Sequence, residues 1–198
     1  MGVFSIDSTA SHLDFDSSSE YTTATLCEAL RIGNTKAFKF LYDALFDELY
    51  RYGLKIARGR EDLAKDCVQE IFVNVWNKRE SLQVETSFKF YLFKSLRRDI
   101  QRKLKVNRFV DAAPEGLFYF ESVPSVETQM INAQFKSESS SRVMAEINKL
   151  PARQKEIVFL RYFEGFSAQE VSAIMDLKVN SAYVLLSKAL NTLKDKLK

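Results

Sequence analysis

Hydrophobic residues recur at three- and four-residue steps along most of the chain, which is the period of amphipathic α-helices. Such patterns cover four stretches in the first half and return near the C-terminus: residues 21–32, 35–56, 61–76, 88–105 and 142–198. Glycines stand just after the first two stretches, at Gly33 and Gly59, where they commonly follow a helix end. The pattern predicts an all-α protein with four helices around one core over residues 21–106 and a second helical domain over residues 142–198.

Two stretches lack this period. Residues 1–20 are rich in serine and aspartate and cannot bury enough apolar surface to fold alone, so we expect a disordered tail. Residues 107–141 contain Pro114, Gly116 and Pro124 and carry more acids than bases, which is typical of an acidic linker. A linker of about 30 residues can span tens of ångströms as a coil.

Composition narrows the class of function. No apolar run approaches the ~20 residues of a membrane span, and no signal peptide is recognisable, so we expect a cytoplasmic protein without membrane insertion. His12 is the only histidine, and Cys27 and Cys67 both lie in helical apolar patterns. These residues favour neither a metal site nor a cofactor nor a catalytic base, so we expect no enzyme activity.

The third helical stretch combines a wide apolar stripe with an acidic and amide-bearing face. Asp66, Gln69 and Glu70 share that face, because side chains three and four positions apart are neighbours on a helix. The pattern suits a docking surface for a large protein partner, and it equally suits a solvated acidic face.

The fourth helical stretch is strongly basic. Eight basic residues and one acid lie between Lys89 and Arg108, a sum of +7, whereas the whole chain is +3. Such a concentration of charge is typical of nucleic-acid binding. Four aromatic residues lead into it: Phe88, Phe90, Tyr91 and Phe93. We expect two of them to cap the core and the others to be available for stacking on unpaired bases.

The C-terminal stretch has a helix-turn-helix pattern. Ser167 and Glu170 form a capping box for a short helix that ends near Met175. Asp176, which tolerates left-handed geometry, starts the turn, and a last helix follows with Asn180 as its expected cap. In the helix before the motif, Phe163 is expected to point into the core.

These motifs resemble bacterial RNA polymerase sigma factors of the sigma-70 family. AKDCVQEIF at residues 64–72 is similar to the second conserved region, whose common form is A-x-D-x-V-Q-E-x-F. SFKFYLFKSLRRDIQRKL resembles the segment that melts and reads the −10 element, and LPARQKEIVFLRYFEGFSAQEVSAIM resembles the fourth region, which reads the −35 element. The nearest group is the small extracytoplasmic-function (ECF) type, which implies a sigma2 bundle and a sigma4 helix-turn-helix domain joined by an extended acidic linker.

The resemblance implies partners and residues. Core RNA polymerase would be bound at two places. Asp66, Gln69 and Glu70 would contact its β′ clamp helices, and a second contact would be made with its β flap. The resemblance also implies promoter DNA and an anti-sigma factor as partners. Contacts to the −10 region would come from Phe90, Tyr91, Lys94, Arg97, Arg98 and Arg102. Contacts to the −35 region would come from Lys178, Asn180, Ser181, Tyr183, Leu185 and Lys188.

The last helix departs from the family pattern. Relatives usually carry several basic residues where this chain has Tyr183, Leu185 and Leu190. The departure suggests that an accessory DNA-targeting protein helps to place the factor, although apolar residues can also contact thymine methyl groups. Two other functions remain open: a stand-alone helix-turn-helix regulator, and a nuclease that uses carboxylates on the third stretch, at Asp62, Asp66 and Glu70.

Overall fold

The computed structural model describes residues 22–106 and 138–197, and all regular structure in these ranges is helical. The helices are α1 (Thr23–Arg31), α2 (Thr35–Ile56), α3 (Glu61–Asn77), α4 (Phe88–Val106), α5 (Glu138–Asn148), α6 (Ala152–Val158), α7 (Ala168–Ile174) and α8 (Val179–Leu197). The predicted all-α class is confirmed. The tail predicted over residues 1–20 and most of the predicted linker lie outside the described residues.

Helices α2, α3 and α4 pack on one another and form the first domain, with α1 against α2. Their shared core contains fully buried aliphatic side chains such as Leu49, Val68 and Leu96. Gly53 lies where α2 passes α4, and a Cβ at this position would make an ordinary contact with Leu96 Cδ2, at 3.4 Å. The four predicted helices of this domain are therefore all present, with a single apolar core.

The start of α2 shows how local sequence sets a helix boundary. Gly33 has a φ of +78°, a conformation that glycine adopts without strain. The Asn34 side chain then accepts hydrogen bonds from the backbone N–H groups of Lys36 and Ala37, at 2.9 and 3.1 Å. Both features agree with the predicted start at Thr35.

The second domain is built around α8, which packs against α5, α6 and α7. The predicted capping box is present, because the Ser167 hydroxyl accepts from the Glu170 N–H while the Glu170 carboxylate accepts from the Ser167 N–H. Asp176 has the predicted left-handed conformation, with φ of +53°. The predicted cap at Asn180 is wrong, because α8 begins one residue earlier, at Val179, and Asn180 lies in its first turn.

A π-helical turn over Phe159–Phe163 follows α6 directly. Its widened turn is seen in the hydrogen bond from the Glu164 N–H to the Phe159 carbonyl, at 3.1 Å. The wider turn changes the register of the side chains, so Phe159 is buried while Phe163 remains 49% exposed. The prediction that Phe163 points into the core was wrong for this reason.

The two domains are in contact, because α4 packs against α7. This contact was not predicted, since the hydrophobic patterns predict each domain separately. No helix within residues 22–106 and 138–197 is both long and apolar enough to cross a membrane.

Candidate functional site

Helix α3 presents the predicted docking face, which we define as Asp66, Gln69 and Glu70. All three residues are exposed, while the opposite side of the helix buries Cys67, Val68 and Ile71 in the core. Acidic residues also occupy the first turn of α3, where they interact favourably with the helix dipole. The docking face is thus held by a helix whose other side is packed in the core of the first domain.

Glu70 connects the docking face to α4. Its Oε1 accepts a hydrogen bond from Lys103 Nζ at 2.7 Å. Burial alone would lower the pKa of Lys103, but the hydrogen bond with Glu70 raises it above its usual value. The acidic surface of α3 and the basic surface of α4 therefore lie side by side on one domain.

The solvent side of α4 carries a basic face, which we define as Lys94, Arg98 and Arg102. The side chains of Arg98 and Arg102 are 80% and 68% exposed. Asp99 lies between them, 4.0 Å from Arg98 Nε and 3.4 Å from Arg102 Nη2, and it neutralises only part of their charge. Exposed cations on one helix face can contact successive phosphates of a nucleic acid.

The four aromatic residues at the start of α4 divide as predicted. Phe88 and Phe93 are buried in the core, whereas Phe90 and Tyr91 are half-buried. Lys94 Nζ lies 5.7 Å from the centre of the Phe90 ring, which is a cation–π distance. Partly exposed rings next to the basic face are suitably placed for stacking on unpaired bases.

Arg97 has a different environment from the other predicted DNA contacts. It is only 5% exposed, and its Nε donates to Glu156 Oε1 at 2.6 Å, across the contact between the two domains. Burial alone would lower the pKa of Arg97, but the Glu156 carboxylate raises it. In this arrangement Arg97 is enclosed, so its predicted contact with DNA requires the domains to separate.

Sequence reasoning missed a second charged group at the same contact. Lys89 Nζ lies 2.9 Å from Glu48 in the first domain and 2.9 Å from Glu164 in the second. Burial raises the pKa of Glu164, and Lys89 partly counteracts that rise. One feature of the sequence could have indicated these buried charges, namely a charged residue within an apolar stripe. Arg97, which lies between Phe93 and Ile100 on α4, is an example.

Helix α8 presents a mostly neutral surface where the −35 contacts were predicted. Leu185 alone among the six predicted residues is half-buried, packed against the domain core. The other five are exposed: Lys178, Asn180, Ser181, Tyr183 and Lys188. Between them lies Val184, which is 55% exposed, and the next turn adds Leu190 at 39%. The structure therefore brings one cation of α8, Lys188, next to an exposed apolar surface.

The nuclease alternative gains no geometric support. Within the two described ranges, no group of three His, Cys, Asp or Glu side chains could hold a metal ion. Asp62, Asp66 and Glu70 all lie along α3, with no acidic group from another element completing a cluster in those ranges.

Comparisons with known proteins agree with the motifs. The model for Sigma-70 region 2 matches residues 41–109, and the model for Sigma-70, region 4, matches residues 140–193, which together are more than half of the chain. The ECF RNA polymerase sigma factor SigW of Bacillus subtilis is 23% identical over 172 residues, covering 84% of this chain and 91% of that protein. The ECF RNA polymerase sigma-E factor of Haemophilus influenzae is 25% identical over 194 residues, covering 90% and 96%.

Two solved structures have a similar fold. One is CnrH in complex with the cytosolic domain of CnrY, with a TM-score of 0.56, 20% identity, and coverage of 88% of this chain and 96% of that chain. The other is the sigma factor RpoE in complex with the anti-sigma factor NepR from Bartonella quintana, with a TM-score of 0.56, 23% identity, and coverage of 82% and 97%.

Proposed function

The chain belongs to the sigma-70 family of transcription initiation factors, and on that premise we propose that it is an alternative, ECF-type sigma subunit. It binds core RNA polymerase in the cytoplasm and directs initiation at specific promoters. Members of this family are not enzymes, and the chemistry of RNA synthesis belongs to the polymerase. The observation that carries the proposal is the acidic docking face of α3, which is paired through Glu70 with Lys103 of the strongly basic helix α4 on the same domain.

The docking face binds the β′ clamp helices in this proposal. Its exposed carboxylates and amide offer acceptors and a donor to a basic helical partner, and electrostatic complementarity of this kind sets both association rate and register. The salt bridge between Glu70 and Lys103 restrains the Glu70 side chain, which reduces the entropy lost on docking. The second domain would make its own contact with the β flap.

The start of α4 melts and reads the −10 region. Phe90 and Tyr91 are half-buried against the core, and the part of each ring that stays exposed is where a flipped base would stack. The basic face anchors phosphates on either side of the separated strands. This assigns stacking to the first turn of α4 and phosphate anchoring to the three turns that follow.

The second domain contacts the −35 region through α8. An accessory DNA-targeting protein positions this domain on the DNA. The apolar positions Tyr183, Val184 and Leu190 support this, because base readout needs hydrogen-bond donors and phosphate anchoring needs cations. An anti-sigma factor is a further proposed partner, since the similar RpoE structure was solved as a complex with the anti-sigma factor NepR.

The alternative is a stand-alone regulator that uses only the helix-turn-helix. Such a regulator would bind duplex DNA tightly without polymerase. This alternative gives no role to the exposed docking face of α3. The two functions separate in a single experiment, because only a sigma subunit needs the polymerase for promoter recognition.

The test is co-purification with core polymerase followed by transcription in vitro, with Asp66→Arg/Glu70→Arg as the main variant. Reversing two exposed charges on the docking face should cost several kcal/mol of binding against a basic partner while leaving the fold intact. Initiation and co-purification should both be lost. The matched control is Glu80→Arg/Glu85→Arg, a double reversal at exposed positions off α3, which should retain both. Unchanged polymerase affinity in a correctly folded docking-face variant would exclude the assignment.

A further inference from the structure

One acidic segment of the sequence has no role in the proposed function: residues 1–20, which we call the acidic tail. It contains four acids and no lysine or arginine; the acids are Asp7, Asp14, Asp16 and Glu20. Apolar residues such as Leu13 and Phe15 are interspersed with them. A segment of this composition buries too little apolar surface to fold alone, yet such segments can become ordered on a surface of complementary charge.

The basic face of α4 has that complementary charge. Lys94, Arg98 and Arg102 follow one another at four-residue steps, which places them on one side of the helix, and all three are exposed. Lys105, also exposed, continues the row. Asp99, whose side chain is only 13% exposed, pairs with Arg98 and Arg102 and offsets one of these charges. The basic face therefore keeps a net positive charge, and the second domain does not cover it.

Apolar surface lies directly beside these cations. Phe90 and Tyr91 are half-buried, and Lys94 Nζ lies 5.7 Å from the centre of the Phe90 ring. Rings and cations are thus neighbours on α4, just as apolar and acidic residues are neighbours in the acidic tail, for example Phe15 and Asp16. The two surfaces match in both properties, whereas the docking face of α3 is acidic and would repel the tail.

The described chain begins close to the start of α4. Helix α1 starts at Thr23, whose Oγ1 donates a hydrogen bond to the Thr86 carbonyl at 3.4 Å. Thr86 precedes the first residue of α4, Phe88, by two positions. The acidic tail is therefore joined to the first domain beside the first turn of α4, where Phe90 and Tyr91 lie.

The acidic tail is also long enough to cover the basic face. From the start of α4 to Arg102 the helix rises about 21 Å. The eight positions from Asp14 to Thr22 span about 26 Å when extended. A short flexible connection holds a segment at an effective concentration in the millimolar range, so a weak contact is enough to keep it bound. Exposed ion pairs, which are individually weak, are therefore sufficient.

We propose that the acidic tail docks along the basic face of α4 and competes there with DNA phosphates. Carboxylates and phosphates bind the same guanidinium and ammonium donors, so a nucleic acid must displace the tail before it contacts these cations. Binding to DNA of arbitrary sequence depends almost entirely on phosphate contacts. The tail therefore weakens such binding more than it weakens binding to a promoter, where stacked bases also contribute. The docking is independent of the proposed function, whereas this gain in promoter selectivity rests on it.

The first test locates the acidic tail on the free, full-length chain. Phe15 is replaced by the photoreactive amino acid p-benzoylphenylalanine, and the crosslinked residues are identified by mass spectrometry. Crosslinks should form with α4, and Arg98→Glu/Arg102→Glu should reduce them at least about fivefold, because like charges then repel the tail. The matched control is Lys36→Glu/Lys65→Glu, which reverses exposed charges on α2 and α3 and should leave the crosslinks unchanged.

Salt concentration provides a second measurement of the same contact. Raising it from about 0.1 M to about 1 M shortens the screening length from ~10 Å to ~3 Å, so the crosslinks to α4 should become weaker. Crosslinks to another surface, or crosslinks to α4 that neither salt nor charge reversal reduces, would overturn the proposal. Crosslinks that join two molecules, recognised by a doubled mass, would assign the tail to a second copy of the chain and would overturn it as well.

The second test measures the competition with DNA. Asp14→Asn/Asp16→Asn/Glu20→Gln removes three charges from the acidic tail and should raise the affinity of the free chain for a duplex of unrelated sequence at least about threefold at low salt. The matched control, Ser17→Ala/Ser18→Ala/Ser19→Ala, leaves the acids in place and should not change this affinity. The gain should disappear when Arg98→Ala/Arg102→Ala is added. An unchanged affinity, or a gain that persists without these arginines, would exclude competition at the basic face.

Adding core polymerase separates the docking from the proposed function. We measure promoter selectivity as the ratio of complexes formed on a promoter to those formed on unrelated DNA. The variant that lacks three tail charges should reduce this ratio at least about threefold. If polymerase binds and the ratio is unchanged, the proposed effect on selectivity is wrong. If the chain binds no polymerase while the variant still gains affinity for duplex DNA, the proposed function fails and the docking stands.

Discussion

Helices α4 and α8 are each 19 residues long and each is the proposed DNA-contacting helix of its domain, yet their surfaces differ in charge. Helix α4 carries seven basic residues and one acid, and its basic face is well exposed. Helix α8 carries three basic residues, of which Lys188 alone lies before the last turns, and its exposed positions include Tyr183 and Val184. Two helices of the same length and proposed role thus differ in surface charge, because α4 is strongly basic while much of the exposed surface of α8 is neutral and apolar.

The difference indicates where DNA affinity is located. Phosphate contacts supply most of the affinity of nucleic-acid binding proteins and require cations on an exposed face. The first domain meets this requirement and the second does not. In our account, the first domain therefore binds the promoter strongly, while the second domain depends on a protein contact to hold it in place.

The largest effect is expected from removing charges on the two helices in parallel. Arg98→Ala/Arg102→Ala on α4 should weaken promoter-complex formation by on the order of 3 kcal/mol, because two charge-assisted hydrogen bonds are lost. The slope of the logarithm of the binding constant against the logarithm of salt concentration should also become less steep by nearly two. Lys188→Ala/Lys194→Ala on α8 should have a much smaller effect on both quantities. Binding measured against salt concentration checks this, and equal losses from the two pairs would contradict the comparison.

A smaller effect is expected from exchanging one tyrosine on each helix. Tyr91→Ala on α4 should impair open-complex formation by ~1–3 kcal/mol, which is the contribution of one stacked base, and should change duplex binding little. Tyr183→Ala on α8 should leave open-complex formation unchanged. Permanganate footprinting of the melted strand, with duplex binding measured in parallel, separates the two steps. A melting defect in the Tyr183 variant, or none in the Tyr91 variant, would break the proposed division of labour.

Local features of this fold could be predicted from sequence because their causes are local. The apolar stripe of α3, the capping box at Ser167 and the left-handed Asp176 each depend on residues within a few positions of one another. The sequence also predicted that two of the four aromatics at the start of α4 would be buried, but it did not specify that these are Phe88 and Phe93.

The features that were missed have causes far away in the chain. Arg97 is buried by Glu156, which lies 59 residues further along the sequence and in the other domain. The π-helical turn directs Phe159 onto Tyr52, again across the contact between domains, and this overrides the regular helical period that had placed Phe163 inside. Single-sequence patterns carry little information about such contacts, and a charged residue within an apolar stripe is the one clue that they leave.

Selection of promoters from a template library, randomised separately at the −10 and −35 elements, shows directly whether the second domain reads DNA without another protein. The full chain and core polymerase are used without any other factor, so each element is read only by the helix proposed for it. We predict enrichment of defined bases at −10, and little or none at −35 until a protein that positions the second domain is added. A sharp −35 consensus with the two proteins alone, lost on Tyr183→Ala, would contradict it.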